Sequence, residues 1–233
     1  MRKFFSVAAV VLLLSAALYS QLPSGSGSSS GSATLTRPQC FALVCGDSIV
    51  RPVADDFTWV NQGTATKIAT ADYVSIKDTD AGGDQVRMLV KSTPATPFTI
   101  TAAFYTSGVG GGSWGYSGGL VLRQSSDGKL IVIGRSHVSG ASYFLLQSFT
   151  NATTWSANQA YITSTSSAMS HLHWVRYVDN GTNRYWYLSV DGINFNELKN
   201  ESRTTFLTAN QIGLYVDAFD SNASTTLVYW KQE

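Results

Sequence analysis

The sequence has few charged residues and no basic run. Charged residues make up 13% of the 233-residue chain, the formal net charge is +1, and no run of lysine and arginine exceeds two residues. A nucleic-acid-binding protein needs a clustered positive charge to neutralise phosphates. The sequence therefore predicts that the chain has no nucleic-acid partner.

The chain also lacks the acidic patterns and nucleophile motifs that hydrolases use. Glycoside hydrolysis needs two carboxyl groups about 5 to 10 Å apart, and such pairs share a strand face when they alternate with other residues. The only glutamates are Glu197, Glu201 and Glu233. No Gly-x-Ser-x-Gly occurs within a strand–turn–helix, and the histidines lack a recognisable nucleophile or acidic partner. We predict no catalytic site; a Glu197/Glu201 pair, in a geometry that the sequence does not reveal, is the alternative.

The one long apolar run lies at the N-terminus. Arg2 and Lys3 precede the apolar stretch from Phe4 to Leu14, and small residues follow. This order is typical of a secretory signal peptide, and the run is shorter than the roughly 20 apolar residues of a membrane-spanning helix. We interpret residues 1–20 as a signal peptide, with a retained hydrophobic segment as the alternative, and expect a secreted or cell-surface protein.

Two further segments separate this signal from the folded body. Residues 21–36 are rich in glycine and serine and predict a flexible linker. Residues 37–54 contain Cys40 and Cys45, the only cysteines of the chain. Export favours a disulfide between them, and two buried free thiols remain the alternative.

Residues 55–233 have the pattern of a β-sheet protein. About a dozen short stretches alternate apolar and polar residues or are rich in β-branched residues, and no convincing amphipathic helix interrupts them. The clearest run extends from His171 to Leu198 and predicts three strands, because Asn180-Gly181 and Asp191-Gly192 suit tight turns. We expect this run at the centre of a sheet and the whole body to be an all-β, two-sheet antiparallel sandwich.

The same run carries a resemblance to a known family. Its spacing is Trp-x-Arg, Asp-Asn-Gly-Thr, then Tyr-x-Tyr-x-Ser-x-Asp-Gly-x-x-Phe. This spacing resembles concanavalin A-like (laminin-G-like) jelly-roll domains, and the resemblance extends more weakly over residues 55–233. It implies a jelly-roll sandwich of the kind found in bacterial secreted proteins, in modules appended to glycosidases and in phage virion proteins. It specifies the fold better than the function, because one scaffold hosts many activities.

Aromatic residues in polar or glycine-rich surroundings predict a binding site. Sugars present apolar ring faces edged by hydroxyls, so a sugar site combines aromatic faces with a few polar groups. The candidate ligand-binding residues are Trp114, Tyr116, Arg123, Arg135, His137, Tyr143 and Trp155. They predict a glycan or another cell-surface ligand as partner. For Trp114 and Trp155, capping of the sandwich is an equal alternative.

No motif requires a cofactor. Calcium is the one ion with plausible ligands, because carboxylate oxygens suit it. These would be Asp78, Asp80 and Asp84, or Asp217 and Asp220, although aspartates that form turns explain the same residues. His171 and His173 share a strand face but lack a third metal ligand.

A second functional class remains open. A structural or assembly protein, such as a phage decoration or fibre module or the subunit of an extracellular filament, would use the N-terminal segment and exposed sheet edges to associate. This alternative predicts self-association, or assembly with other subunits, and for the phage case a location in the virion.

Overall fold

The computed structural model of the chain describes residues 49–79, 82–109, 115–164 and 172–233. The predicted signal peptide, the linker and the Cys40–Cys45 disulfide lie outside the described residues, as do Trp114 and His171. Within these four ranges, no helix is both long and apolar enough to cross a membrane.

The described residues form β-strands and one short 3-10 turn at Ala54–Asp56. The strands are β1 (Thr58–Val60), β2 (Thr66–Ala69), β3 (Val74–Asp78), β4 (Arg87–Ser92), β5 (Phe98–Val109), β6 (Tyr116–Arg123), β7 (Leu130–Val138), β8 (Ala141–Asn151), β9 (Thr154–Ser164), β10 (His173–Asp179), β11 (Asn183–Ser189), β12 (Asn196–Ser202), β13 (Gln211–Asp217) and β14 (Asn222–Gln232).

These strands build two seven-stranded sheets. The first sheet has the order β1-β4-β13-β6-β7-β8-β9, and the second has the order β12-β11-β10-β5-β14-β3-β2. Neighbouring strands are antiparallel throughout both sheets. The predicted all-β, two-sheet antiparallel sandwich is confirmed.

The main core lies between the two sheets. Leu120 and Leu122 of the first sheet belong to one buried cluster with Ile100 and Phe104 of the second. These residues recur at every second position, because successive side chains of a strand point to opposite faces. The inner faces of both sheets therefore pack together as in other β-sandwiches.

The first sheet also buries part of its outer face, because it curls. Three strands separate β4 from β8 in the sheet order, which in a flat sheet corresponds to about 19 Å. Nevertheless the amide of Val86, just before β4, donates a hydrogen bond of 2.8 Å to the carbonyl of Ala152, just after β8. Phe149 joins Val86 and Met88 in a second buried cluster on this face. The outer face of the first sheet is therefore concave.

The predicted central position of the run from His171 to Leu198 was wrong. The run does form three antiparallel strands, β10, β11 and β12, but β12 is an edge strand of the second sheet. The longer strands β5 and β14 take the middle, where they pair with each other. That pairing joins segments about 120 residues apart in the sequence, and no local pattern encodes it.

Gly134 provides a test of how closely the strands of the first sheet approach. It faces Gly119 across β6 and β7, and a Cβ atom at position 134 would lie 2.0 Å from the carbonyl oxygen of Gly118. We expect Gly134→Ala to lower the free energy of unfolding by at least about 2 kcal/mol, because backbone atoms would have to shift. Urea unfolding measures the change.

Gly140→Ala is the matched control for this substitution. A Cβ atom there would meet nothing within 4 Å, although its φ of +77° disfavours alanine, which costs about 1 kcal/mol. Equal unfolding midpoints for the two variants would contradict the close approach at Gly134.

Candidate functional site

A groove lies on the concave outer face of the first sheet. Its cavity volume is about 780 Å³, and strands β6, β7, β8, β9 and β13 contribute to its walls. The side chains used below are Asp84, Tyr143, Trp155, Tyr161 and Asp217. We call this cavity the groove.

The two-residue period of β8 decides which of its side chains reach the groove. Tyr143 and Leu145 line it, whereas Phe144 and Leu146 point to the core between the sheets. β9 pairs with β8 and closes the side of the groove, since it is the last strand of the first sheet. An edge strand can present aromatic side chains to solvent beside a buried wall.

Two aromatic side chains of β9 are exposed at the rim. Trp155 is 46% exposed and Tyr161 is 65% exposed, and both line the groove. Tyr143 on β8 is half-buried between this rim and the floor. The groove therefore offers several flat apolar faces to a ligand in solvent.

Asp217 places a buried carboxyl group in the groove wall. It is 4% exposed, and its Oδ1 accepts hydrogen bonds of 3.2 Å from the backbone amides of Gln85 and Phe219. Burial raises the pKa of Asp217 to about 7, the two amides oppose this rise, and the carboxyl groups of Asp84 and Asp78 add to it. The carboxyl group is thus half protonated near neutral pH.

Asp84 is the second carboxyl group of the groove. Burial raises its pKa, and a hydrogen bond that its carboxylate accepts from the backbone amide of Trp155 opposes this rise. Asp84 therefore helps to hold the start of β9 against the segment before β4. No carboxylate pair at this position was predicted from the sequence, yet the structure brings Asp84 and Asp217 to one cavity.

Arg87, which lies opposite Val216 in the pairing of β4 with β13, bonds other groups. The guanidinium of Arg87 donates to the Asp78 carboxylate at 3.0 Å and to Gln85 Oε1 at 3.1 Å. The hydroxyl of Thr64 donates to the other oxygen of Asp78. Arg87 thus balances the charge of Asp78.

Two of the predicted binding residues, Tyr143 and Trp155, present their side chains to the groove. The ring of Tyr116 lies instead in the core between the sheets, where it stacks on His137. Trp155 lies on β9, which follows β8 after a tight turn. Trp114, the fourth aromatic candidate, lies outside the described residues.

Arg135 and His137 face away from the groove. They alternate on β7 with Ser136 and Val138, which line it. Arg135 donates a hydrogen bond of 2.9 Å to the carbonyl of Thr106 in the second sheet, and the His137 ring stacks on Tyr116 with centroids 5.7 Å apart. Both predicted polar ligands therefore point between the sheets, in the opposite direction to the groove.

Arg123 lies too far along β6 to join this site. It is six residues beyond Ser117, which lines the groove, and six residues of extended strand span about 20 Å. Its guanidinium donates a hydrogen bond of 2.5 Å to Gln211 Oε1 on β13. Arg123 thus connects two strands at the opposite end of the first sheet.

The aspartates considered for calcium make contacts of other kinds. Asp78 pairs with Arg87, and Asp220 Oδ1 accepts a hydrogen bond of 2.6 Å from the amide of Gly115. Asp80 lies outside the described residues. Across the described ranges, no group of three or more His, Cys, Asp or Glu side chains has the geometry to hold a metal ion.

The glutamate pair considered for catalysis lies on the other sheet. Glu197 and Glu201 are both on β12. Glu201 accepts hydrogen bonds from Arg184 and pairs with Lys199 at 3.0 Å, and Glu197 accepts one from Asn200. These contacts give both glutamates a structural role within the second sheet.

Comparison with known proteins finds similarity only at the level of structure. No protein-family model matches the sequence, and no curated protein sequence matches it at a significant level. Among solved structures, the GH43 protein BlXynB from Bacillus licheniformis aligns with a TM-score of 0.59 and 11% identity, over 78% of this chain and 37% of that chain. A functionally unknown protein from Saccharomyces cerevisiae aligns with a TM-score of 0.55 and 14% identity, over 77% and 97%. The xyloglucan-locus protein GH43B from Bacteroides ovatus aligns with a TM-score of 0.52 and 8% identity, over 78% and 37%.

These alignments cover different shares of the matched proteins. The matched region spans nearly all of the yeast protein but little more than a third of the two GH43 proteins. Sequence identities this low establish a shared fold and no shared activity. The structural alignments and the two seven-stranded antiparallel sheets together show that the described part of the chain has a concanavalin A-like β-sandwich fold.

Proposed function

We propose that this chain is a secreted or cell-surface module that binds glycans in the groove without cleaving them. The observation that carries the proposal is the pair of exposed aromatic side chains, Trp155 and Tyr161, beside a cavity of about 780 Å³. Ligand sites occupy about 300 to 1,000 Å³ and combine apolar walls with a few polar groups. The groove has this size and this composition.

The chemistry of the lining suits a carbohydrate. Aromatic rings pack against the apolar C–H faces of a sugar, and oriented polar groups then bond its hydroxyls. Gln147 and Asn158 lie in the wall and are held in place by a side-chain hydrogen bond of 3.0 Å. The carboxyl groups of Asp84 and Asp217 add acceptors for sugar hydroxyls.

Both carboxyl groups also have structural partners, which favours binding over catalysis. Asp84 accepts the amide of Trp155, and Asp217 accepts two backbone amides. A reducing-end assay on the polysaccharides that bind the protein tests whether it cleaves them, and we expect no product. Product release that Asp217→Asn abolishes would instead assign a hydrolase, since one carboxyl group with a raised pKa is what such an enzyme needs as its acid.

Affinity electrophoresis in gels that contain xylan, dextran, hydroxyethyl cellulose or mannan tests the binding site. We expect retention of the wild-type protein by at least one of these polysaccharides. The double variant Trp155→Ala/Tyr161→Ala should bind about 5- to 150-fold more weakly, because each ring contact contributes about 0.5 to 1.5 kcal/mol.

Tyr105→Ala is the matched control, because Tyr105 is a 38% exposed aromatic residue on the second sheet. It should bind as the wild-type protein does. Undiminished retention of the double variant, or equal losses in both variants, would rule out the groove as the site.

A second candidate function is assembly into a larger structure. β9 is an 11-residue edge strand, and Ile162 on it is 42% exposed. Exposed edge strands with apolar side chains favour pairing with another chain. Under this alternative, light scattering coupled to size-exclusion chromatography would detect an oligomer that Ile162→Lys dissociates. A monomer at all concentrations would contradict self-assembly through this edge.

A further inference from the structure

The groove has ionisable groups of only one sign. Of the described side chains that line it, Asp84 and Asp217 are the carboxyl groups, and none is lysine, arginine or histidine. Asp84 lies at the aromatic rim, because its carboxylate accepts a hydrogen bond from the backbone amide of Trp155, and Asp217 lines the same cavity. A ligand that packs on Trp155 therefore comes close to an acidic group.

The surroundings do not compensate this charge. The negative charges of Asp84 and Asp78 both add to the rise in the pKa of Asp217. The cation packed nearby, Arg87, balances Asp78 through a contact of 3.0 Å. The basic side chains of β7 do not contribute, because they point to the opposite face of the first sheet.

We propose that the groove selects uncharged glycans and rejects glycans that carry sulfate or carboxylate groups. This inference rests on the proposed glycan binding in the groove. Neutral sugar hydroxyls can donate hydrogen bonds to both carboxyl groups, and such charge-assisted bonds are strong. An anionic substituent would lose its hydration and meet a like charge in a partly buried site, where repulsion is larger than in water.

The discrimination against anionic glycans should become stronger as the pH rises. Burial raises the pKa of Asp217 to about 7 and also raises that of Asp84. At pH 5 Asp217 is protonated and neutral, so it repels an anionic sugar little. At pH 8 it is ionised, and the rejection of anions reaches its full strength.

Matched neutral and sulfated polysaccharides test this selection. Xylan, dextran and hydroxyethyl cellulose are each compared with their chemically sulfated forms, because a sulfate ester stays charged at both pH values. For each backbone that binds, we expect the sulfated form to bind at least about tenfold more weakly at pH 8, and the difference to become smaller at pH 5. The full 233-residue chain, or its processed secreted form, is used.

Variants separate the groove from other acidic groups. The double variant Asp84→Asn/Asp217→Asn should reduce the pH 8 difference to its pH 5 value or below, and a cooperative urea-unfolding transition shows that the variant is folded. Asp127→Asn is the control, because Asp127 is an exposed acid in the turn between β6 and β7. It should leave the difference unchanged.

The possible outcomes distinguish this inference from the proposed function. Sulfated forms that bind as tightly as neutral ones at pH 8 would overturn the inference and leave glycan binding in place. A difference that persists in the double variant would also overturn it. If neither form of any polysaccharide binds, glycan binding itself fails and charge selection fails with it.

Discussion

Replacing Asp217 with asparagine is expected to raise the free energy of unfolding at pH 8 by on the order of 4 kcal/mol. Burial raises the pKa of Asp217 to about 7 in the folded protein, whereas an aspartate in an unfolded chain titrates near 3.9. Each pH unit between these values corresponds to about 1.36 kcal/mol. The native state therefore loses stability as the pH rises from about 4 to about 7, because the unfolded chain gives up this proton first.

Asparagine is a suitable replacement because it preserves the local contacts. Its side-chain oxygen can still accept the amides of Gln85 and Phe219, which Asp217 Oδ1 accepts in the wild-type protein. Urea unfolding at pH 5 and pH 8 measures the effect. We expect the variant to be clearly more stable than the wild type at pH 8 and the difference to shrink at pH 5. The same difference at both pH values would contradict a carboxyl group that titrates near neutral pH.

Arg184→Met is expected to lower the free energy of unfolding by about 3 to 5 kcal/mol, because removing one partner of a buried ion pair leaves the other uncompensated. Arg184 is fully buried in β11. Its guanidinium donates hydrogen bonds of 2.9 and 2.6 Å to Glu201 Oε1, and others to the carbonyls of Leu207 and Thr205. Methionine fills similar space but satisfies none of these acceptors.

Urea unfolding of Arg184→Met at pH 7 measures this loss. Lys231→Met is a control of the same chemical type, because the ion pair of Lys231 with Glu233 is exposed and such pairs contribute about 0 to 1 kcal/mol. Folded Arg184→Met should retain glycan binding, since Arg184 lies on the second sheet. A loss no larger than that of the control would contradict the structural role of the Arg184 network.

The strands were predictable from the sequence, but their arrangement was not. Asn180-Gly181 and Asp191-Gly192 encode the turns of β10, β11 and β12 locally, and these strands form as expected. The partner of β5 depends instead on residues about 120 positions away, such as the pairing of Thr106 with Thr225. Alternation of apolar residues indicates the buried face of a strand but not its neighbour in the sheet.

The site was predictable only in part, because the first sheet is buried on both faces. On β7, Ile131 and Ile133 pack in the main core, while Leu130 and Val132 pack in the outer cluster. Without a polar face, the pattern cannot tell whether Arg135 or its neighbours point to the groove. Tyr143 and Trp155 were found because exposed aromatic residues suit sugars whatever the register.

Several side chains of the groove were absent from the predicted glycan site, among them Tyr161, Asp84 and Asp217. The two aspartates were considered only as calcium ligands. Tyr161 lies within a strand and has no polar neighbour pattern that marks it as exposed. Asp84 and Asp217 lie 133 positions apart, and only the pairing of β4 with β13 brings them together. The sequence contains one signal of this site. Asp217 ends the apolar strand Ile-Gly-Leu-Tyr-Val-Asp, and aspartate is rarely buried in a strand without a specific role.

Hydrogen–deuterium exchange with and without a bound polysaccharide tests the location of the site most directly. The probe is xylan, dextran, hydroxyethyl cellulose or mannan, whichever retains the protein in affinity electrophoresis. We predict slower exchange in residues 141–161 of β8 and β9 and in residues 82–86, with no change in β10, β11 and β12. Protection of the second sheet without protection of β9 would contradict a binding site on the concave face.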